Sequence, residues 1–192
     1  MRKLVAGAAL FCLLPIAASA QEFVTPKAEL FTGFSFLRLE KTNQLGWNTA
    51  INAVINRNLG FVTDASGYYN SESRTVNGIE TKGDRSIHSI LVGPRVTDPR
   101  GRFAPFAQAL FGWSRVHENA TAGTAAGGVF LDASDSTNAF GMKLGGGMDF
   151  ALNDTAAVRI VQVDYMLLRA HGDKSQGVSV GGGVVFRLGQ KR

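Results

Sequence analysis

In 192 residues, 20 Lys and Arg stand against 15 Asp and Glu, a formal charge of +5, with the bases mixed among acids rather than gathered in a stripe. That distribution, with no recognition motif, argues against nucleic-acid binding. The length suits one domain, and a single cysteine, Cys12, excludes a disulfide framework.

In chain order, the first element is a targeting segment. Arg2 and Lys3 precede an apolar run over 4–16, and Ala18-Ser19-Ala20 stands before Gln21. A positive start, a short apolar run and small residues at a cleavage point make a secretory signal peptide. The run is shorter than the roughly 20 residues of a spanning helix. Residues 1–20 are expected to be removed, taking Cys12 with them, and 21–192 to form the mature domain. Ala9-Leu10-Phe11 before Cys12 is not a lipobox, so no lipid anchor is expected. No later stretch approaches the length of a spanning helix. A mature chain that crosses a membrane must therefore do so as a closed barrel, the other way to satisfy every backbone polar group in lipid.

The mature chain reads as strands by its strict alternation. Eight segments are predicted: 27–38, 47–56, 59–69, 86–96, 103–115, 138–152, 156–169 and 177–188. The sixth is the clearest, with Phe140, Met142, Leu144, Met148 and Phe150 opposite Gly141, Lys143, Gly145, Gly147 and Asp149. The eighth sets Val178, Val180, Val184, Phe186 and Leu188 against Ser179, Gly181, Gly183 and Arg187. Two segments are irregular. In the fifth, Phe106 and Leu110 share a face with Gln108 and Gly112; in the seventh, Arg159 falls opposite Gln162 and Asp164, which calls for a bulge or an interfacial Arg.

Connections alternate in length. The stretches 39–46, 70–85, 116–137 and 170–176 read as loops, and 57–58, 97–102 and 153–155 as tight turns. Long loops on one side and short turns on the other are the habit of outer-membrane barrels, and an even strand count puts both termini on the short-turn, periplasmic side. Trp47, Tyr68, Tyr69, Trp113 and Tyr165 then fall near the outer strand ends, and Phe61, Phe103, Phe150 and Phe186 near the inner ones, as two aromatic girdles. A water-soluble, lipocalin-like barrel is the competing architecture. The narrow interior of eight strands suits the small and charged face, and lipid suits the Phe, Met, Leu and Val face, so a transmembrane barrel is preferred.

The segments "FTGFSFLR", "HSILVGPRV", "PFAQALFGWSR", "AFGMKLGGGMDF", "VQVDYMLLR" and "VGGGVVFRLG" resemble the strands of small outer-membrane β-barrel proteins of the OmpA/OmpX-like, porin-family type. The resemblance covers essentially the whole mature chain. It implies an all-β, eight-stranded antiparallel up-and-down transmembrane barrel in the bacterial outer membrane, inserted by the barrel-assembly machinery. No further periplasmic domain is expected. One departure is the end of the chain, where Phe186 is followed by Arg187-Leu188-Gly189-Gln190-Lys191-Arg192 rather than closing on an aromatic residue.

Several groups bear on function. Glu29, Asp64, Asp149 and Asp164 are expected to share the lumen with Arg95, Lys143 and Arg187, either as a paired network that plugs it or as a gated path for ions; the plug is preferred, because unpaired charges in a narrow lumen are costly. Arg38, Arg85, Arg115 and Arg169 stand at the roots of the four outer loops. They form either a ring gripping lipopolysaccharide phosphates or an ordinary solvated rim. The Gly145–147 and Gly181–183 runs lack a following Lys-Ser/Thr and a helix, so they read as relief of crowding rather than a phosphate cradle. His88, His117 and His171 form no hydrolase or metal constellation. The stretch 116–137 is an adhesive surface or a solvated loop. The reading is a monomeric, cofactor-free, non-enzymatic barrel that contacts lipopolysaccharide, matrix or other cells. The alternative is a narrow pore or carrier for ions or small solutes.

Overall fold

The computed structural model describes residues 26–39, 42–76, 79–124, 129–170 and 173–189. The expected signal peptide 1–20 and His171 lie outside these residues. Eight strands follow one another: β1 Ala28–Leu39, β2 Thr42–Val54, β3 Leu59–Val76, β4 Ile79–Thr97, β5 Phe103–Thr124, β6 Val129–Ala151, β7 Ala156–Ala170 and β8 Asp173–Leu188. Each pairs antiparallel with its sequence neighbours, and β1 pairs with β8, closing the sheet into a barrel.

The tight links have local causes. Asn56 Oδ1 accepts from the backbone N–H of Asn58 at 2.9 Å and of Leu59 at 2.8 Å, and Asn153 Oδ1 does the same for Thr155 at 2.9 Å and Ala156 at 2.8 Å. These are Asx turns, in which a short side chain replaces a backbone acceptor. In the β4–β5 link, Gly101 takes a left-handed φ of 60°, open to glycine at no steric cost.

At the other end the structure corrects the expected boundaries. The loops expected over 70–85 and 116–137 are largely strand: β3 and β4 run on to Val76 and from Ile79, and β5 and β6 to Thr124 and from Val129. β2 begins at Thr42 rather than at Trp47. Alternation of apolar and polar residues reports a contrast in environment between two faces. Where both faces meet water the contrast vanishes, although the ladder continues, and Thr- and Ser-rich stretches then read as loop.

Inside the closed barrel, alternation sorts the residues cleanly. Phe34, Trp47, Ile51, Phe61, Ile90, Phe111, Leu144 and Val163 face outward, while Asn48, Asn52, Asp64, Ser66, Arg95, Lys143 and Asp164 are buried within. The irregular fifth segment is explained by volume. Phe106 and Leu110 point into the lumen beside Gln108. Phe106 is the register partner of Gly147, where an added Cβ would lie 2.9 Å from its ring. The glycine on β6 vacates the space that the ring on β5 fills.

Candidate functional site

The lumen charges are tied into three hydrogen-bonded groups stacked along the barrel. Toward the outer end, Lys143 Nζ donates to Asp64 Oδ1 at 2.8 Å and to Ser66 Oγ at 2.9 Å, and Asn48 donates to the other Asp64 oxygen at 2.6 Å. Below them, Asp164 accepts from Gln162 and from Gln108, and Gln108 in turn accepts from Arg95 at 2.8 and 3.2 Å. Arg159 donates to both oxygens of Asp149, at 2.8 and 3.1 Å, and to Gln162 at 2.7 Å. At the short-turn end, Glu29 accepts from Asn52 at 2.9 Å and pairs with Arg187 at 3.6 Å. Arg95 and Arg159 also stack on the Phe106 ring, at 4.3 and 4.4 Å, and Arg159 lies 4.1 Å from the Phe31 ring centre. Desolvated guanidinium over an aromatic face adds on the order of 1–2 kcal/mol.

Sequence reasoning did not place Arg159 here, although it noted the irregularity that does so. A register shift in β7 between Arg159 and Gln162 turns Ile160 and Val161 outward in succession, so that Arg159 and Gln162 both point inward. With Arg159 included, Glu29, Asp64, Asp149 and Asp164 face Arg95, Lys143, Arg159 and Arg187, four carboxylates against four cations among the described lumen residues. Arg95 differs from expectation in reaching Asp164 through Gln108 rather than directly.

Above this network, Leu37, Leu39, Tyr68, Ile87, Ala139, Met166 and Leu168 form a buried apolar cluster across the outer end of the lumen. Tyr68 belongs to it, which corrects the girdle assignment. It is completely buried, shares a 3.2 Å hydrogen bond with Ser35 and lies 5.7 Å from Lys143 Nζ. Parity decides this: Tyr68 follows Asp64 and Ser66 on the inward face, and Tyr69 follows Phe61 on the outward one. Trp47, Tyr69, Trp113 and Tyr165 face outward, and Trp47 Nε1 donates to the Tyr69 hydroxyl at 3.4 Å. A space in mid-lumen, lined by Ser35, Asn48, Tyr68, Lys143 and Asp164 among others, is ≈ 10 Å³, at the lower limit for one water molecule.

The expected arginine ring splits in two. Arg38, Arg115 and Arg169 are exposed on the outward face, and Arg115 donates to Ser136 at 3.2 Å. Arg85 turns inward at the mouth, because it shares the parity of Ile87 and Ser89, and it pairs with Glu118 at 3.0 Å. It lines an open cleft of ≈ 430 Å³ with Glu72, Asp84, Glu118 and Asp135. That cleft is cupped by a part of the sheet that has left the barrel. β2 pairs with β3 only as far as Leu45 and Tyr69, and β7 pairs with β6 only from Arg169 and Phe140. The β3–β4, β4–β5 and β5–β6 ladders continue well beyond, to Val76–Ile79, Ile79–Thr124 and Gly123–Val129. The result is a four-stranded extension with two edges, 70–76 of β3 and 129–139 of β6, whose far sides have no strand partner among the described residues.

A closed antiparallel barrel, an apolar exterior, a filled polar lumen and a sheet continued past one rim define the small membrane-spanning barrel of the outer-membrane type. The chain is similar in fold to Ail, the attachment invasion locus protein of Yersinia pestis, in complex with the heparin analogue sucrose octasulfate: TM-score 0.59, 15% identity, 84% of this chain and 99% of that one. It is similar also to Neisserial surface protein A, with TM-score 0.51, 15% identity, and 84% and 96% of the two chains covered. No family model matches the chain, and no curated protein matches it.

Proposed function

We propose that the protein is a surface-interaction barrel of the bacterial outer membrane, neither a pore nor an enzyme, whose working part is the sheet that rises beyond the outer rim. The observation that carries this reading is the pair of open edges at 70–76 and 129–139. An unpaired edge presents a row of backbone donors and acceptors to an extended partner segment. The filled lumen supports the exclusion of a pore. A continuous path for ions has to pass both the apolar cluster at Leu37, Ile87 and Met166 and the paired charges beneath it.

Charge narrows the partner. The stretches 70–86 and 116–138 hold Glu72, Glu80, Asp84, Glu118, Asp132 and Asp135 against Arg74, Lys82 and Arg85. The comparison barrel Ail was captured with a sulfated sugar; an acid-rich extension favours a cationic or neutral partner instead. At the membrane surface, the outward-facing Arg38, Arg115 and Arg169 would meet lipid headgroups, with lipopolysaccharide as the outer-leaflet candidate.

The test is a trimmed barrel in which 72–83 and 119–134 are replaced by two-residue turns. Cells displaying the full chain should adhere to matrix-coated surfaces, and cells displaying the trimmed chain should not, while both proteins keep different gel mobility when boiled and unboiled. Equal adhesion by both would overturn the reading, as would steady discrete conductance from the full chain in a planar bilayer.

A further inference from the structure

Near the tip of the β7–β8 hairpin, Arg169 and Lys174 are register partners, and both are exposed. Like charges set directly opposite each other in an antiparallel pair are destabilising. No ion pair to either side chain is found among the described residues. The neighbouring carboxylate, Asp173, is the partner of Ala170, one step along the strand and so turned toward the opposite face. Among the described residues, the sheet thus holds two cations side by side at its outer surface with no carboxylate paired to either.

Their surroundings indicate what compensates them. Two residues along β8 from Lys174, Gln176 accepts the Tyr165 hydroxyl hydrogen at 2.7 Å through Oε1, which leaves its amide nitrogen as a further donor. On the other side, Arg169 is the register partner of Phe140, and Phe140 of Trp113, all facing outward. Trp113, Phe140, Arg169 and Lys174 therefore form one row across four adjacent strands. With about 4.8 Å per strand, the row is roughly 14 Å long, apolar and aromatic at one end and doubly cationic at the other. That is the profile of an amphiphile whose anionic head lies beside its chains.

We propose that Arg169 and Lys174, with Gln176, form a binding site for the phosphate of a membrane-anchored lipid, whose chains lie along Phe140 and Trp113. The Arg169 guanidinium offers a planar fork for two phosphate oxygens, and the Lys174 ammonium a mobile point charge. The phosphate removes the repulsion between the two cations and gains from both. The inference rests on the barrel crossing the outer membrane with this rim outward, and it sharpens a ring of arginines into one discrete site that includes a lysine.

The experiment uses the full folded chain in detergent, titrated by native mass spectrometry with four probes: bisphosphorylated lipid A, lipid A stripped of phosphate, phosphatidylglycerol and inorganic phosphate. The Arg169→Gln/Lys174→Gln double variant should bind the phosphorylated lipids at least tenfold more weakly than the parent and the stripped lipid A equally well. Arg57→Gln, in the exposed short turn at the opposite end of the barrel, should change phosphorylated-lipid binding less than twofold. Stronger binding of lipid A than of phosphatidylglycerol would assign the site to the glycolipid of the outer leaflet, and the reverse order to a phospholipid. In lipid-free detergent the double variant should melt no lower than the parent, because it loses a repulsion. Unchanged affinity for phosphorylated lipid would overturn the site, as would inorganic phosphate binding as tightly as either lipid. Loss of the boiled-against-unboiled mobility difference in the parent would instead overturn the barrel in its membrane, a separable failure.

Discussion

Arg159 and Arg85 each meet a carboxylate on the neighbouring strand, yet they live in different media. Arg159 touches Asp149, Gln162, Phe31 and Phe106, and its side chain is 1% exposed. Arg85 meets Glu118 at the mouth, with side chains 26% and 57% exposed. The first pair is held where water cannot replace a lost partner; the second sits where it can. One sheet is therefore two materials. The lower part is a filled cylinder in which polar groups are obligatory partners, and the upper part is a ribbon in which they are replaceable and available to others.

The largest expected effect breaks this contrast most directly. Arg159→Met leaves Asp149 buried without its cation and should cost about 3–5 kcal/mol. Arg85→Met should cost about 1 kcal/mol or less. Urea unfolding in detergent, followed by gel mobility and by the fluorescence of Trp47 and Trp113, measures both. Adding Asp149→Leu to Arg159→Met should recover much of the loss, because it removes the orphaned charge. Similar costs for the two single variants would show the lumen to be wetter than its packing implies.

Glycines give a second, smaller comparison. At Gly147 a new Cβ would collide with the Val161 carbonyl oxygen and lie 2.9 Å from the Phe106 ring, whereas at Gly83 nothing lies within 4 Å. Gly147→Val should cost about 1–3 kcal/mol by overpacking, and Gly83→Val should stay within about 0.5 kcal/mol. The same unfolding assay decides it, and equal losses would mean that the lumen wall yields more readily than the contacts around Phe106 suggest.

These positions also mark how far the sequence could be read. Strand number, closure and the inward faces of β2, β6 and β8 were legible, because lipid on one side and a narrow lumen on the other produce maximal alternation. Arg159 was not assigned, because a bulge resets parity in mid-strand and only the partner strand reveals where. The outer extension read as loop, because water on both faces erases the pattern that marks a strand. Arg85 was grouped with the outward arginines by its nearness to a loop; counting from Ile87 along the same strand would have turned it inward. The lumen partners were legible as a set but not as pairs. Which carboxylate meets which cation depends on register across strands far apart in sequence, as with Lys143 and Asp64.

Adjacent tyrosines offer the finest division between the two environments. Tyr68 and Tyr69 follow one another on β3, and alternation sends one into the lumen and the other to the rim. The Tyr68 hydroxyl shares its hydrogen bond with Ser35, which is itself buried, so removing it strands a hydroxyl that water does not reach. The Tyr69 hydroxyl accepts a long bond from Trp47 at an exposed position, where headgroups and water offer replacements. Tyr68→Phe should therefore destabilise by about 1 kcal/mol, the net worth of one buried hydrogen bond, and Ser35→Ala in that background should recover part of it. Tyr69→Phe should leave the unfolding midpoint within error while shifting the Trp47 emission, since it alters the polarity next to the indole and nothing in the lumen. A midpoint that moves with Tyr69→Phe and not with Tyr68→Phe would reverse the assignment of the two faces, and with it which side of β3 meets lipid.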